Sequence, residues 1–367
     1  MKIVTVIGAR PQIIKAAALS RAIRQHFSKE MQEVIVHTGQ HYDDNMSQVF
    51  FDELDIPQPQ YNIGVGSDSH GVQTAKMIEG IEKILLKEKP DCIVLYGDTN
   101  STLAGAIAAS KIHVPIVHIE AGLRSFNKSM PEEINRICCD HCSTLLFSPT
   151  ATGYKNLVNE GITSGIYHCG DVMYDNSKYF ANIADKKSQI LEKEQLRGID
   201  YILCTIHRDN NTDQPERLNA IFKALLKISS SKKVVLPLHP RTSKLLNINL
   251  EKALYDQIKN NPNIKILPPA SFLDMIVLER HAQMVVTDSG GVQKEAFFFQ
   301  KPCLILRSET EWKEIVECGA AAITDANEDK IIESYNSFVE NPPHNYPKIF
   351  GDGKAAEFIC KEMLENF

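Results

Sequence analysis

The feature that most constrains the fold is a recurring unit: a short β-branched or apolar run, bounded by Gly, Pro, Asp or Asn, then a segment of helical period. In the first half the runs are Ile3 to Ile7, Val34 to His37, Ile93 to Tyr96, Ile116 to Ile119, Leu145 to Phe147 and Ile166 to His168. In the second half they are Tyr201 to Thr205, Val234 to Leu238, Ile264 to Leu267, Met284 to Thr287, Cys303 to Leu306 and Ala321 to Thr324. Near-continuous apolar strands joined by helical crossovers are covered on both faces, so the pattern predicts parallel sheets. Two such sets in 367 residues predict an α/β chain of two Rossmann-like, doubly wound domains facing a central cleft. The linker is expected around Cys169 to Tyr174, dividing the chain into domains 1–171 and 172–351. The turn Gly351-Asp352-Gly353 is expected to let the last helix, within 352–367, cross back to the first domain.

Composition removes several alternatives. A net charge of −6 lacks the basic excess of a nucleic-acid binder, so no nucleic-acid partner is expected. No apolar run reaches the ~18 residues of a membrane span, and Ile3 to Ile7, stopped by Gly8 and Arg10, is too short for an export signal. A cytoplasmic protein without a membrane partner is the expectation. Nine cysteines, an odd number scattered along the chain, fit reduced thiols better than a disulfide framework. The cluster Cys138, Cys139, His141 and Cys142 invites a zinc site, but a second spaced pair is not evident, so no metal is expected.

Open parallel sheets bind ligands outside the carboxyl ends of their strands, and here those positions are rich in functional groups. The first strand ends in Gly8-Ala9-Arg10-Pro11, where Arg10 and Lys15 can reach an anion or stand as solvated surface charges. Gly39-Gln40-His41, Gly97-Asp98-Thr99 and Glu120-Ala121-Gly122-Leu123-Arg124 follow the next strands. Asp98 and Glu120, two acids directly after buried strands, must be either paired or used. Pro131-Glu132-Glu133 reads as a helix start with carboxylates in the first turn, where ordinary capping also accounts for Glu133.

The second half repeats a His and Arg motif in His207-Arg208 and His239-Pro240-Arg241. Its clearest anion site is Asp288-Ser289-Gly290-Gly291-Val292-Gln293-Lys294-Glu295. A strand running into Ser-Gly-Gly and then a helix offers free N–H groups, a hydroxyl and the helix dipole to a phosphate. Glu295, one turn in, is placed to accept from a ribose diol. A Walker-type loop and a dinucleotide fingerprint are both missing, which argues against nucleotide hydrolysis and nicotinamide chemistry.

Taken together, these segments resemble the non-hydrolysing UDP-N-acetylglucosamine 2-epimerases, whose two-domain GT-B fold is shared with many glycosyltransferases. The match also includes Pro131-Glu132-Glu133-Ile134-Asn135-Arg136 and runs nearly end to end. The resemblance implies that Asp98, Glu120, Glu132 and His207 are catalytic. It implies that Arg10, His239, Ser289, Gly290, Gly291 and Glu295 hold UDP, with Ser271, Phe272 and Leu273 near the uracil, and from their places at the strand ends Lys15 and Arg208 are expected to join them. Gln40, Arg136 and Glu311 would lie on the sugar side, and a homodimer is suggested.

Two departures bear on substrate. The family's Gly-Thr-Arg-Pro-Glu is Gly8-Ala9-Arg10-Pro11-Gln12 here, and its Thr-Thr-Glu-Arg-Pro-Glu is Glu309-Thr310-Glu311-Trp312-Lys313-Glu314. Both segments are expected to line the sugar side, and the Gln12 and Trp312 pattern resembles enzymes acting on UDP-2,3-diacetamido-2,3-dideoxyglucuronic acid. The tract Gln40-His41-Tyr42-Asp43 has an acid where relatives with a regulatory site carry an amide.

No carbonyl acidifies the C2 hydrogen of an N-acetylhexosamine, so the chemistry implied is departure of UDP first, through an oxocarbenium-like state, to 2-acetamidoglucal. UDP is both handle and leaving group, so no cofactor is expected. A glycosyltransferase, a hydrolysing relative or a silent UDP-sugar sensor would be the rivals.

Overall fold

The computed structural model describes residues 1–39, 56–238 and 240–367. It divides into two compact units, Met1–Asn176 with Lys348–Phe367, and Ser177–Pro347.

In the first unit the strands are β1 (Lys2–Ile7), β2 (Gln32–His37), β3 (Tyr61–Asn62), β4 (Cys92–Tyr96), β5 (Ile116–Ile119), β6 (Leu145–Ser148) and β7 (Ile166–His168). They form one parallel sheet in the order β3-β2-β1-β4-β5-β6-β7. Every residue of β4 is buried, as expected of an inner strand with helices on both faces. β3 was not anticipated: a two-residue strand carries no periodicity, and it exists because Tyr61 and Asn62 pair with Val36 and His37.

The second unit holds β8 (Tyr201–Thr205), β9 (Lys233–Pro237), β10 (Ile264–Leu267), β11 (Met284–Thr287), β12 (Cys303–Ile305) and β13 (Ala321–Ile323). These six, again all parallel, are ordered β10-β9-β8-β11-β12-β13. In each sheet the order reverses beside the first strand of its unit, at β1/β4 and at β8/β11. That reversal opens a crevice at the strand carboxyl ends.

The boundary falls after Asn176, inside the helix Val172–Lys187, rather than at the loop expected around Cys169 to Tyr174. Side-chain bonds tie the start of that helix to the first unit. Asn176 donates to the Ile14 carbonyl at 2.6 Å and accepts from Arg21 at 3.1 Å. Asp175 accepts from the Ala355 and Ala356 N–H groups at 3.1 and 2.8 Å, capping the final helix Ala355–Asn366. Burial pushes the Asp175 carboxyl up to about 6 despite those two amides.

Candidate active site

In the first unit the acids sit on two adjacent strand ends. β4 runs into Gly97-Asp98-Thr99, with Thr99 capping the helix Asn100–Lys111, and β5 runs into Glu120. Gly97 has φ +62°, and Glu120 has φ +74°, a conformation that costs a residue with a Cβ ~1–2 kcal/mol. The N–H groups of Glu120 and Ala121 both donate to the Phe147 carbonyl on β6 at 3.0 Å, which holds the turn. Glu120 forms an ion pair with Lys15, and the pair lies over the Gly97 α-carbon. A Cβ there would come within 3.0 Å of Lys15 Nζ and 3.2 Å of Glu120 Oε2.

Asp98 accepts from Arg136 at 2.6 Å through its side chain, and its carbonyl accepts from Asn135 at 2.9 Å. Arg136 also donates to Glu133 at 3.0 Å. Glu133 is buried and accepts from the N–H groups of Ser125 and Phe126 at 2.9 and 2.8 Å. Burial works to raise its pKa, but those amides and Arg136 outweigh it and hold the carboxyl below its usual range. Glu133 therefore latches the loop after Arg124. Its neighbour Glu132 is exposed in the first turn of the helix Pro131–Cys142.

The second unit is organised around Asp288, which is fully buried at the end of β11. Its carboxylate accepts from the His207 and Arg208 N–H groups and from the Asn211 side chain, each at 3.1 Å. His207 Nδ1 lies 3.1 Å from Asp288 Oδ1 while the ring remains half exposed. An ionised carboxylate can only accept, so Nδ1 carries the proton and Nε2 is the ring nitrogen left to face a ligand. Burial alone would raise the Asp288 pKa; His207 and the amide donors reverse that and lower it.

Directly after Asp288, Ser289 caps the helix Gly290–Phe298 by accepting from Val292 N–H. The first N–H groups of this helix have no intrahelical acceptor, which gives an anion a place to bind. Trp312 Nε1 donates to the Gly290 carbonyl at 3.0 Å, and Lys294 Nζ sits 4.2 Å from the centre of the Trp312 ring. Glu295 is hydrogen-bonded to the buried Glu279; burial and then Glu295 push Glu279 well above the usual carboxylate range. Glu279 is thus the protonated donor, leaving Glu295 as the acceptor.

The other expected site residues fall in several settings. Lys15 is paired with Glu120, in the acid set of the first unit. Glu311 is held by Arg307 through two bonds of 2.9 Å. Phe272 and Leu273 are buried, and the Phe272 ring packs edge-on against Phe180 at 5.3 Å, so these residues could meet a base through backbone atoms near Ser271. Gln12 and Trp312 do not line a sugar surface, because they are 1% and 4% exposed. Gln12 Oε1 accepts from the Gly8 and Ala9 N–H groups at 2.9 and 3.1 Å, and Nε2 donates to the Tyr96 carbonyl and Thr102 Oγ1, both at 3.0 Å. Its four partners are internal, so the Gln is a clip for the β1 turn. Arg10 and Arg208 are exposed at their strand ends. Gln40, His41 and His239 lie outside the described residues.

Sequence reasoning assigned no separate role to Asp288, Glu279 or Arg307, and it gave Gln12 to the sugar side rather than to the β1 turn. The position of Asp288, immediately after a buried strand and before Ser-Gly-Gly, was the available signal. Glu279 and Gln12 depend on partners further along the chain, Glu295 for the one and Tyr96 and Thr102 for the other, whereas Arg307 pairs with Glu311 only four residues on.

Two doubly wound α/β units, one ending its strands in acids and the other in a capped Gly-Gly helix start, define the GT-B class of fold. The profile of the UDP-N-acetylglucosamine 2-epimerase family matches residues 22–364, and the chain belongs to that family. It is an isomerase. A Methanococcus maripaludis protein described as a UDP-N-acetylglucosamine 2-epimerase homolog is 50% identical over the whole of both chains. The UDP-2,3-diacetamido-2,3-dideoxy-D-glucuronate 2-epimerase of Pseudomonas aeruginosa is 46% identical, again over all of both. The crystal structure of the Methanocaldococcus jannaschii UDP-GlcNAc 2-epimerase in complex with UDP-GlcNAc and UDP superposes with a TM-score of 0.88 at 41% identity, covering 100% of each chain.

Proposed function

We propose that this protein interconverts UDP-N-acetylglucosamine and its C2 epimer by elimination and re-addition of UDP. The observation that carries the reading is the full-length likeness, at 41% identity, to an enzyme crystallised with UDP-GlcNAc and UDP. In the reaction the C1–O bond breaks with its electron pair remaining on the diphosphate, and a carboxylate takes the C2 proton. The sugar becomes 2-acetamidoglucal. The diphosphate oxygen then adds back to C1 as a proton reaches C2 from the opposite face, so nothing is consumed.

The electrostatics divide accordingly. Ser289, Gly290 and Gly291, with Arg10, Arg208 and His239, take the diphosphate, and preorganised donors of that kind are each worth roughly 10²–10³ in rate. Glu295 takes the ribose and the backbone near Ser271 the uracil. Asp98, Glu120 and Glu132 exchange the proton and balance the cationic sugar, with Lys15 setting the orientation of Glu120. His207, oriented by Asp288, serves the leaving oxygen. Gln40, Arg136 and Glu311 belong to the sugar side. The working form is a cytoplasmic homodimer.

A second reading is favoured by the 46% identity to the Pseudomonas enzyme: the substrate would be the diacetamido-uronate, with the same chemistry at C2. Incubation of the protein with each UDP-sugar in deuterium oxide, followed by NMR at C2, separates them. Deuterium entering C2 of both epimers without an added acceptor is expected for the true substrate. Free sugar as the product, or a requirement for an acceptor, would overturn the proposal.

A further inference from the structure

Beneath the two acid turns lies a cluster of charges that substrate does not reach. His118, on β5, and Asp140, on the helix Pro131–Cys142, both have fully buried side chains, and the Arg124 side chain is 1% exposed. His118 Nδ1 is 2.7 Å from Asp140 Oδ1, and Nε2 is 2.8 Å from the Gly97 carbonyl oxygen. Both ring nitrogens thus face acceptors. A neutral imidazole has one N–H and one lone pair, so either tautomer would set that lone pair against an oxygen; the imidazolium satisfies both contacts. Burial opposes the charge, but Cys139 and Asp140 beside the ring outweigh it and raise its pKa.

The rest of the cluster completes a balance. Asp140 Oδ2 accepts from Arg124 at 2.7 Å and from the Gly122 N–H at 3.1 Å. Arg124 continues to Glu160 through bonds of 2.7 and 2.6 Å and also donates to the Leu123 carbonyl at 2.7 Å. Glu160, on the outer side, is 3.3 Å from the half-exposed His141. With His118 charged, His118, Asp140, Arg124 and Glu160 sum to zero. Buried ion clusters of this kind add little stability relative to apolar packing, so what they hold in place matters more than their energy.

What this one holds is the backbone on either side of the acids. The Gly97 carbonyl belongs to the peptide that leads into Asp98, and the Gly122 N–H lies two residues beyond Glu120. Gly97 and Gly122 have φ of +62° and +81°, which glycine adopts freely, but Glu120 has +74°, so the second turn carries strain that its surroundings must hold. A Cβ on Gly122 would stand 2.2 Å from the Gly153 carbonyl oxygen, which shows how closely the second turn is packed.

We propose that His118 and Asp140 are positioning residues: a buried imidazolium–carboxylate pair that locks the Gly97-Asp98 and Glu120-Gly122 turns together and so aligns the two acids on the sugar. The inference rests on the reading of Asp98 and Glu120 as the reacting acids. Misalignment of about 1 Å at a reacting group is enough for a loss on the order of 10² in rate.

Two measurements test it. In wild-type protein labelled with ¹⁵N-histidine, one ring must show both nitrogens protonated at pH 8. Absence of such a ring overturns the proposal, and this result stands even if variants fail to fold. Asp140→Asn keeps the size of the side chain and an acceptor oxygen but removes the charge. It is expected to lower kcat for C2 exchange by about 10²-fold, with UDP affinity changed less than ~3-fold, because the UDP contacts proposed here lie mainly in the other unit. A folded Asp140→Asn protein with wild-type kcat overturns the positioning role. Asp98→Asn, run alongside, separates the two ideas: if it too exchanges at the wild-type rate, it is the assignment of the acids that has failed.

Discussion

The strand ends of the two units solve opposite electrostatic problems. In the first, acids are held by cations: Glu120 by Lys15, Asp98 by Arg136, and Glu133 by Arg136 and two amides. In the second, one buried acid, Asp288, gathers backbone N–H groups and orients His207, while the Ser289-capped helix start turns its own amides outward. A reaction that separates a sugar cation from a diphosphate anion needs both kinds of surface. The difference teaches that the acid side is built from side-chain pairs and the anion side from backbone dipoles, so the two should respond differently to substitution.

The largest contrast is expected on the acid side. Asp98→Asn and Glu120→Gln should each reduce C2 exchange by roughly 10²–10⁴, the usual contribution of a positioned acid or base, while UDP binding by calorimetry stays near wild type. Equal losses in binding and exchange would erase the distinction between the two surfaces. On the anion side, Asp288→Asn should weaken UDP and slow turnover together, by about 10–10²-fold, because it loosens the His207-Arg208 loop and no longer fixes the imidazole tautomer. Unchanged UDP affinity in that variant would mean that the loop is held by something else.

A smaller effect is expected at Gln12. Glutamate there would keep the acceptor for Gly8 and Ala9 but offer no donor to the Tyr96 carbonyl or Thr102, so Gln12→Glu should cost ~1–3 kcal/mol in urea unfolding. The ratio of kcat/KM between the two UDP-sugars should not change; a change would restore a direct role in selecting substrate. Asp175→Asn should be the mildest. The folded carboxyl, pushed up to about 6, binds its proton more tightly than the unfolded one, so stability falls as pH rises from about 4 to about 6. The variant cannot ionise, so wild type should lose stability relative to it as pH rises through that window, while the Asn amide nitrogen, unable to accept from Ala355 or Ala356, lowers the variant's Tm at every pH. A Tm difference between the two proteins that does not change through the same window would contradict the assignment.

Much of this was legible in the chain. Each long apolar run became a strand, because a doubly covered strand leaves a local signature that needs no partner to be recognised. The Ser289-Gly290-Gly291 helix start was legible for the same reason, since capping is a matter of adjacent residues. What stayed hidden was pairing across distance. Gln12 looked like a determinant of substrate until its amide was found between residues 8 and 102, and Glu133 looked like a simple cap until its carboxylate was found latching residues 125 and 126. His118 and Asp140 lie 22 residues apart on a strand and a helix, and no periodicity connects them.

The claim beneath all of these contrasts is that the bond from C1 to the diphosphate breaks and re-forms at each turnover. Positional isotope exchange tests it directly: the UDP-sugar is labelled with ¹⁸O in the bridge between C1 and the β-phosphorus and followed by ³¹P NMR. Elimination frees that oxygen to rotate among the terminal positions of the β-phosphate, so the label should scramble as fast as the epimer forms, or faster. An epimer that accumulates with its label still confined to the bridge would contradict the account.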